Sequence, residues 1–136
     1  MNHKKMSSNT NFQYNKPAIR LAYNLLYLVC SRDFSHSNKL NRGVIQAVFS
    51  LIDLINESTK KSVFLDPLKF LNKLYSTSAV LYGQIKVFRE SGYLSESDFI
   101  DHLDKITAMK YEFSSVLLNR YKSSSADEGN GRYKNA

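Results

Sequence analysis

The sequence has little of what breaks or cross-links a chain. Its 136 residues include five glycines, two prolines, one cysteine and no tryptophan. The single cysteine, Cys30, excludes an intramolecular disulfide, so stability must come from a packed core, and the chain fits a reducing compartment. Because Cys30 lies in an apolar segment of helical periodicity, we expect a buried structural thiol and not a nucleophile.

Long apolar runs are also missing. No segment approaches the about 20 apolar residues that a membrane-spanning helix needs. The first residues, MNHKKMSSNTNFQ, lack the apolar stretch of a signal peptide. These absences predict a cytoplasmic protein without a membrane partner.

The sequence signatures of catalytic and metal sites are absent as well. There is no HExxH, CxxC, phosphate-binding loop or dinucleotide-binding glycine pattern. Glu-x-x-His pairs, which bind two irons in helical bundles, do not occur either. Asp98, Asp101 and Asp104 recur every third residue, which favours a solvated helix face over a carboxylate site. We therefore expect no enzyme activity, no metal and no cofactor.

What the sequence does contain is apolar residues and positive charge. Apolar residues make up 43% and aromatic residues 12%, which is typical of a globular protein and not of a disordered one. The formal net charge is +7 and is unevenly distributed. Residues 1–89 hold 13 Lys and Arg against 4 Asp and Glu, whereas residues 90–136 hold 6 against 8. This distribution favours an anionic partner, with nucleic acid ahead of a membrane surface.

Apolar residues recur at spacings of three and four in four segments, which predicts four helices. No segment has the pattern of a strand between two turns. Helices joined by short loops are antiparallel neighbours, so the sequence predicts an all-α, antiparallel, up-down-up-down four-helix bundle. The bundle is expected at residues 16–121, between a flexible basic tail at 1–15 and a flexible polar tail at 122–136.

Capping signals mark the ends of the predicted helices. Pro17 suits the first turn of helix one, which is expected to end near Arg32. Ser35 or Ser37 can cap helix two, and Asp66 can cap helix three. These signals fix where each helix is expected to begin.

The stretch RESGYLSESDF predicts a tight corner between helices three and four. Gly92 suits the left-handed position just past a helix end, and an apolar contact between Phe88 and Tyr93 usually accompanies such a cap. Ser95 can start the next helix by accepting a hydrogen bond from the backbone N–H of Asp98.

The apolar patterns of helices one and three indicate which of their sides are covered. Helix one is apolar on more than one side, because Leu21 and Leu28 lie away from the side that holds Ile19 and Val29. A helix with so wide an apolar surface is either central in the bundle or at a contact between subunits. Because this surface exceeds what one bundle needs, we predict an oligomer. On helix three, the predicted core stripe begins at Leu68.

Basic and aromatic residues outside the core stripes predict a nucleic-acid-binding surface. One flank of helix three holds Tyr75, Tyr82, Lys86 and Arg89, which follow spacings of seven, four and three, while Lys69 and Lys73 fall on the opposite flank. Arg and Lys neutralise phosphates, and Tyr stacks on unpaired bases. Tyrosines at this spacing are as often packing or subunit contacts. The candidate nucleic-acid-binding residues are Lys86, Arg89, Lys39, Arg42 and Tyr82, with Lys69 and Lys73 secondary.

Three stretches resemble a known superfamily of small four-helix bundles. They are the corner GYLSESDF, the preceding helix LYGQIKVFRES and the following helix LDKITAMKYEFSSVL. The superfamily includes the proteins encoded in intervening sequences of 23S rRNA genes and the accessory variability determinant (Avd) of diversity-generating retroelements. Helix two lacks the RRAAxSIxxNIAEG run that is typical of intervening-sequence proteins, and FSHSNKLNRGVIQAV is closer to the Avd pattern. The resemblance covers roughly residues 17–121.

Kinship with Avd implies a homopentameric ring with a basic exterior. Such a ring binds the reverse transcriptase of the element and structured template RNA or cDNA during mutagenic cDNA synthesis. The basic positions of helix three in that family map onto Lys86, with a second position on or near Tyr82. Two alternatives stay open: an intervening-sequence-type bundle protein of unknown role, and a bundle scaffold that binds only protein.

Overall fold

The computed structural model describes residues 15–31 and 38–135, with side chains at 15–31 and 39–119. This part of the chain contains four α-helices: α1 (Lys16–Cys30), α2 (Asn38–Glu57), α3 (Pro67–Glu90) and α4 (Glu96–Asn135). A 3-10 helix, Lys61–Phe64, connects α2 to α3, and no strand occurs in these ranges. The predicted all-α four-helix architecture is therefore confirmed.

Each helix packs against the next one along the chain, and α1 packs against α4, so the four helices enclose one core. Glu57 at the end of α2 forms an ion pair with Lys73 in the first third of α3, with 3.6 Å between Oε1 and Nζ. Gly43 near the start of α2 lies against Gln84 near the end of α3. These two contacts show that α2 and α3 run antiparallel.

Apolar side chains from all four helices form the core. Near the start of α3, Phe70 contacts Phe113 of α4 edge-on, with 5.5 Å between ring centroids. At the other end of α3, Arg89 forms an ion pair with Glu96 at the start of α4. Helices α3 and α4 are therefore antiparallel as well. The largest fully buried side chains include Phe88, Phe113, Leu21, Leu25, Leu51, Leu54, Leu74, Leu81, Ile85 and Met109.

The predicted corner between α3 and α4 is confirmed in its hydrogen bonds. Gly92 has φ +84°, the left-handed conformation that glycine adopts without strain. The N–H of Tyr93 donates to the carbonyl of Phe88 (2.9 Å), the N–H of Gly92 donates to the carbonyl of Arg89 (3.0 Å), and the rings of Phe88 and Tyr93 meet edge-on. Ser95 Oγ accepts from the N–H of Asp98 at 3.1 Å. The two helices thus reverse direction within five residues.

The structure places α1 centrally, which is one of the two predicted alternatives, and contradicts the prediction for Cys30. Leu21 is fully buried, because α1 packs against both α2 and α4 and so has two covered sides. The wide apolar surface of α1 therefore lies largely inside the bundle and does not by itself support an oligomer. Cys30 is exposed, so the prediction of a buried thiol is wrong. Cys30 is the last residue of α1 and lies one position beyond the buried Val29, on a different side of the helix.

The predicted core stripe is also wrong at Leu68, which is 68% exposed. Phe70, which is 3% exposed, fills the core at the start of α3 instead. Two residues correspond to about 200° around a helix, so Leu68 and Phe70 point to opposite sides. Leu68 is consequently free to contribute to a surface.

The ends of α1 and α3 differ little from prediction, whereas α4 extends well beyond its predicted end. Helix α1 ends at Cys30, and its cap is Asn15, which is buried and accepts a hydrogen bond from the N–H of Ala18. Asp66 caps α3 as predicted, accepting from the N–H of Lys69. Helix α4 continues to Asn135, whereas a polar tail is predicted after residue 121; no proline interrupts its hydrogen-bond ladder. The predicted tail at 1–14 and the caps proposed among 34–37 lie outside the described residues.

Candidate nucleic-acid interface

Four of the predicted site residues lie at one end of the bundle, which we call the basic end: Lys39, Arg42, Lys86 and Arg89. Because α2 and α3 are antiparallel, the start of α2 lies beside the end of α3. Lys39 and Arg42 line one wall of a groove between these helices, and Gln84 lines the other wall. A Cβ at position 43 would collide with the side-chain amide of Gln84, so Gly43 allows Gln84 to pack closely against α2.

Three of the basic-end residues are available to bind an anion. Lys39, Arg42 and Lys86 are exposed, and no acidic side chain pairs with them among the residues whose side chains are described. Arg89 is different. It pairs with Glu96, and its guanidinium lies 4.7 Å from the centre of the Phe99 ring. A cation over an aromatic face is a stabilising contact, so Arg89 helps to hold the corner and is the least available of the four.

The structure does not bring Lys69 and Lys73 to the basic end. They lie at the opposite end of the bundle, since 13 residues separate Lys73 from Lys86 on α3, about 20 Å along the helix axis. Lys73 pairs with Glu57, and Lys69 lines a groove that also contains Glu57 and Asp66. Nearby carboxylates therefore balance the charge of both lysines.

A second groove, which we call the seam groove, runs between α3 and α4. Tyr75 is 53% exposed and Tyr82 is 43% exposed along its α3 wall. The predicted shared flank of α3 thus faces α4. The α4 wall contains Lys110, whose Nζ lies 5.9 Å from the centre of the Tyr75 ring. The residues lining the seam groove are Tyr75, Ser78, Ala79, Tyr82, Leu103, Ile106, Thr107 and Lys110.

Lys110 is a candidate that the sequence analysis missed. It carries a positive charge on a helix whose side chains are otherwise rich in carboxylates. The corner at Gly92 could have revealed it. In an antiparallel pair, residues equally distant from the corner lie opposite each other, and Tyr75 and Lys110 are each about four helical turns from the helix ends that meet at the corner.

The acidic residues of α4 form the solvated face that the sequence predicts. Asp98, Asp101 and Asp104 are all exposed. The hydrogen bond from Lys105 lowers the pKa of the Asp101 carboxyl, while slight burial acts in the opposite direction. No group of three or more potential metal ligands occurs among the residues that the structure describes.

Beyond Tyr75 the seam continues as an apolar groove toward the other end of α3. Leu68 and Leu118 line it and are 68% and 51% exposed. The apolar periodicity of helix three does not reveal this groove, because it includes Leu68 in the core stripe. The residues lining the apolar groove are Pro67, Leu68, Leu71, Tyr75, Ser114, Leu117 and Leu118.

Two further findings concern membrane-spanning helices and similarity to known proteins. None of the described helices combines the length and the apolar character required to cross a bilayer. Comparisons with protein-family models, with curated proteins and with solved structures gave no match.

Proposed function

We propose that this protein is a non-enzymatic accessory factor of a diversity-generating retroelement, which binds the reverse transcriptase and the template RNA or cDNA. The observation that carries the proposal is the basic end, where Lys39, Arg42 and Lys86 are exposed without an acidic partner among the described side chains. The resemblance of the helix-three corner to Avd supplies the biological setting. Binding would be chiefly electrostatic, because each neutralised phosphate releases counterions into solution.

Self-association would strengthen such binding. We propose a homo-oligomer, and a pentamer on the basis of the Avd resemblance. Five copies at +7 each would carry +35 on one particle. Contacts that are weak in one copy would then add through multivalency.

The double variant Lys39→Ala/Lys86→Ala tests the basic end. It removes one cation from each side of that end, and alanine keeps both helices intact. RNA affinity should fall roughly tenfold at low salt, and the slope of log affinity against log salt should flatten by about 1.4 for single-stranded RNA, since each phosphate contributes about 0.7. The measurement is a fluorescence anisotropy titration of labelled RNA across a salt series.

The matched control is Lys60→Ala/Lys61→Ala, which removes the same charge from two exposed lysines near the opposite end of the bundle. This control should leave the salt slope nearly unchanged, and circular dichroism should show both variants folded. Equal losses in the two double variants would mean that net charge and not the basic end controls binding. No RNA binding by the wild type would exclude the proposed function.

The apolar groove at Leu68 and Leu118 favours a second candidate, a bundle scaffold that binds only protein. Contiguous exposed apolar surface marks sites of protein–protein or membrane contact or ligand-binding grooves. Light scattering distinguishes self-association from other uses of the groove: a pentamer would have a mass near 78 kDa, five times the 15.6 kDa of one chain.

Leu68→Ser/Leu118→Ser should shift an oligomer that uses this groove toward monomer. A wild type that stays monomeric at micromolar concentration would rule out the proposed ring.

Genes beside the coding sequence separate the remaining alternatives. A reverse transcriptase gene next to near-identical template and variable repeats is expected for the retroelement accessory factor. A position inside a 23S rRNA gene would instead support the intervening-sequence-type protein of unknown role.

A further inference from the structure

We propose that the seam groove between α3 and α4 binds single-stranded nucleic acid by stacking unpaired bases on Tyr75 and Tyr82. This inference rests on the proposed function and adds the strand state that the protein selects. It also adds Lys110 to the binding residues. The ligand class is a flexible single strand of RNA or DNA, with little preference for sequence, because every base presents an aromatic face.

The position of the two rings suits separate bases. Tyr75 and Tyr82 lie two turns apart on α3, about 10 Å along the axis. Stacked bases in a duplex strand are about 3.4 Å apart. The two rings are therefore too far apart to hold one base between them, and each offers its own stacking surface.

The walls of the groove match the chemistry of a base. Ile106 is 5% exposed and Leu103 is partly buried, so they form an apolar lining. Thr107 is exposed and can form hydrogen bonds with a base edge. Ser78 is less available, because its Oγ donates to the carbonyl of Leu74 at 2.8 Å.

Cations accompany both rings. Lys110 lies beside Tyr75, and Lys86 follows Tyr82 by one turn on the same flank of α3. Neither lysine forms an ion pair with a described carboxylate. Asp104 is exposed one turn before Thr107 on α4, so it would repel a phosphate on the outer rim of that helix. The phosphates of the strand should therefore run from Lys110, on the α4 wall beside Tyr75, toward Lys86 on α3.

Selection for single strands follows from this geometry. In a duplex the base faces are stacked on one another and cannot reach a protein ring, whereas a single strand can unstack and turn its bases outward. A groove that uses base faces should therefore discriminate against duplexes. The basic end, which uses only phosphates, should bind both.

The test compares two matched pairs of tyrosines. The seam variant, Tyr75→Leu/Tyr82→Leu, removes the two rings of the seam groove. The α1 variant, Tyr23→Leu/Tyr27→Leu, removes two rings of α1 that are 70% and 75% exposed. The probes are a 20-nucleotide oligouridine, a 20-base-pair RNA duplex and a sugar-phosphate oligomer of equal length without bases. The seam variant should bind oligouridine about tenfold or more weakly, with an unchanged salt slope, because stacking and not charge is lost.

The same variant should bind the duplex and the oligomer without bases as the wild type does. The α1 variant should match the wild type on all three probes. Tyr75→Phe/Tyr82→Phe keeps both rings and should restore oligouridine binding, which separates stacking from a folding defect. Circular dichroism and the thermal midpoint report folding for every variant.

The outcomes distinguish failure of the stacking site from failure of the proposed function. Oligouridine binding that survives in the seam variant, while Lys39→Ala/Lys86→Ala flattens the salt slope, overturns the stacking site and leaves the basic end intact. An equal loss on duplex and single strand also overturns it, as does a loss that Phe does not rescue. If the wild type binds none of the three probes, both proposals fail together.

Discussion

Replacing Phe113 by Ala should lower the free energy of unfolding by about 3–5 kcal/mol. Phe113 is fully buried, and its ring contacts Phe70 edge-on across the packing of α3 and α4. Truncation would remove this contact and leave a cavity that the surrounding helices can fill only in part. A loss of this size is a large share of the stability of a small domain, which is about 5–15 kcal/mol.

Tyr111 offers a control two residues away. It is 72% exposed, so Tyr111→Ala should change stability by no more than about 0.5 kcal/mol. Urea denaturation followed by circular dichroism measures both variants at one fixed protein concentration, because self-association would stabilise the folded state. A cost below about 1.5 kcal/mol for Phe113→Ala would contradict the packing of the core around this ring.

Asn15→Ala should cost about 2 kcal/mol. The Asn15 side chain forms two hydrogen bonds in a buried position: its Oδ1 accepts from the N–H of Ala18, and its Nδ2 donates to the carbonyl of Met109, both at 3.1 Å. The first caps α1, and loss of such a cap typically costs about 1 kcal/mol. The second ties α1 to α4, and a buried hydrogen bond contributes a similar amount.

Asn15→Ser separates these two contributions. Serine is a good cap but is too short to reach Met109 as asparagine does, so this variant should lose about half as much stability as Asn15→Ala. Thermal and urea unfolding of the three proteins provide the comparison. Equal stability of the Ala and Ser variants would mean that the cap contributes nothing and that the bond to α4 accounts for the whole effect.

The local features of this fold could be predicted from sequence because they depend on short-range chemistry. The caps at Asp66 and Ser95 and the reversal at Gly92 each need two or three residues at fixed spacing. Helical periodicity likewise places residues on a shared side. These signals are complete within about ten residues, so no tertiary information is required.

Which neighbour covers each side of a helix could not be predicted in the same way. The sequence leaves open whether α1 is central or at a subunit contact, and it places Leu68 in the core. The packing buries Leu21 and exposes Leu68. The same limit applies to the candidate site. Residue type identified Lys39 and Lys86, but only the antiparallel arrangement of α2 and α3 brings them to one end. Lys110 likewise becomes a candidate because the packing of α4 on α3 places it beside Tyr75.

The short reversal between α3 and α4 has a consequence for the order of folding. Arg89 and Glu96 are seven residues apart, whereas the hydrogen bond between Asn15 and Met109 joins positions 94 residues apart. Closing a long loop costs more chain entropy than closing a short one, so the α3–α4 hairpin can form before α1 docks on α4. The Asn15→Ala substitution should then leave the refolding rate close to that of the wild type and accelerate unfolding.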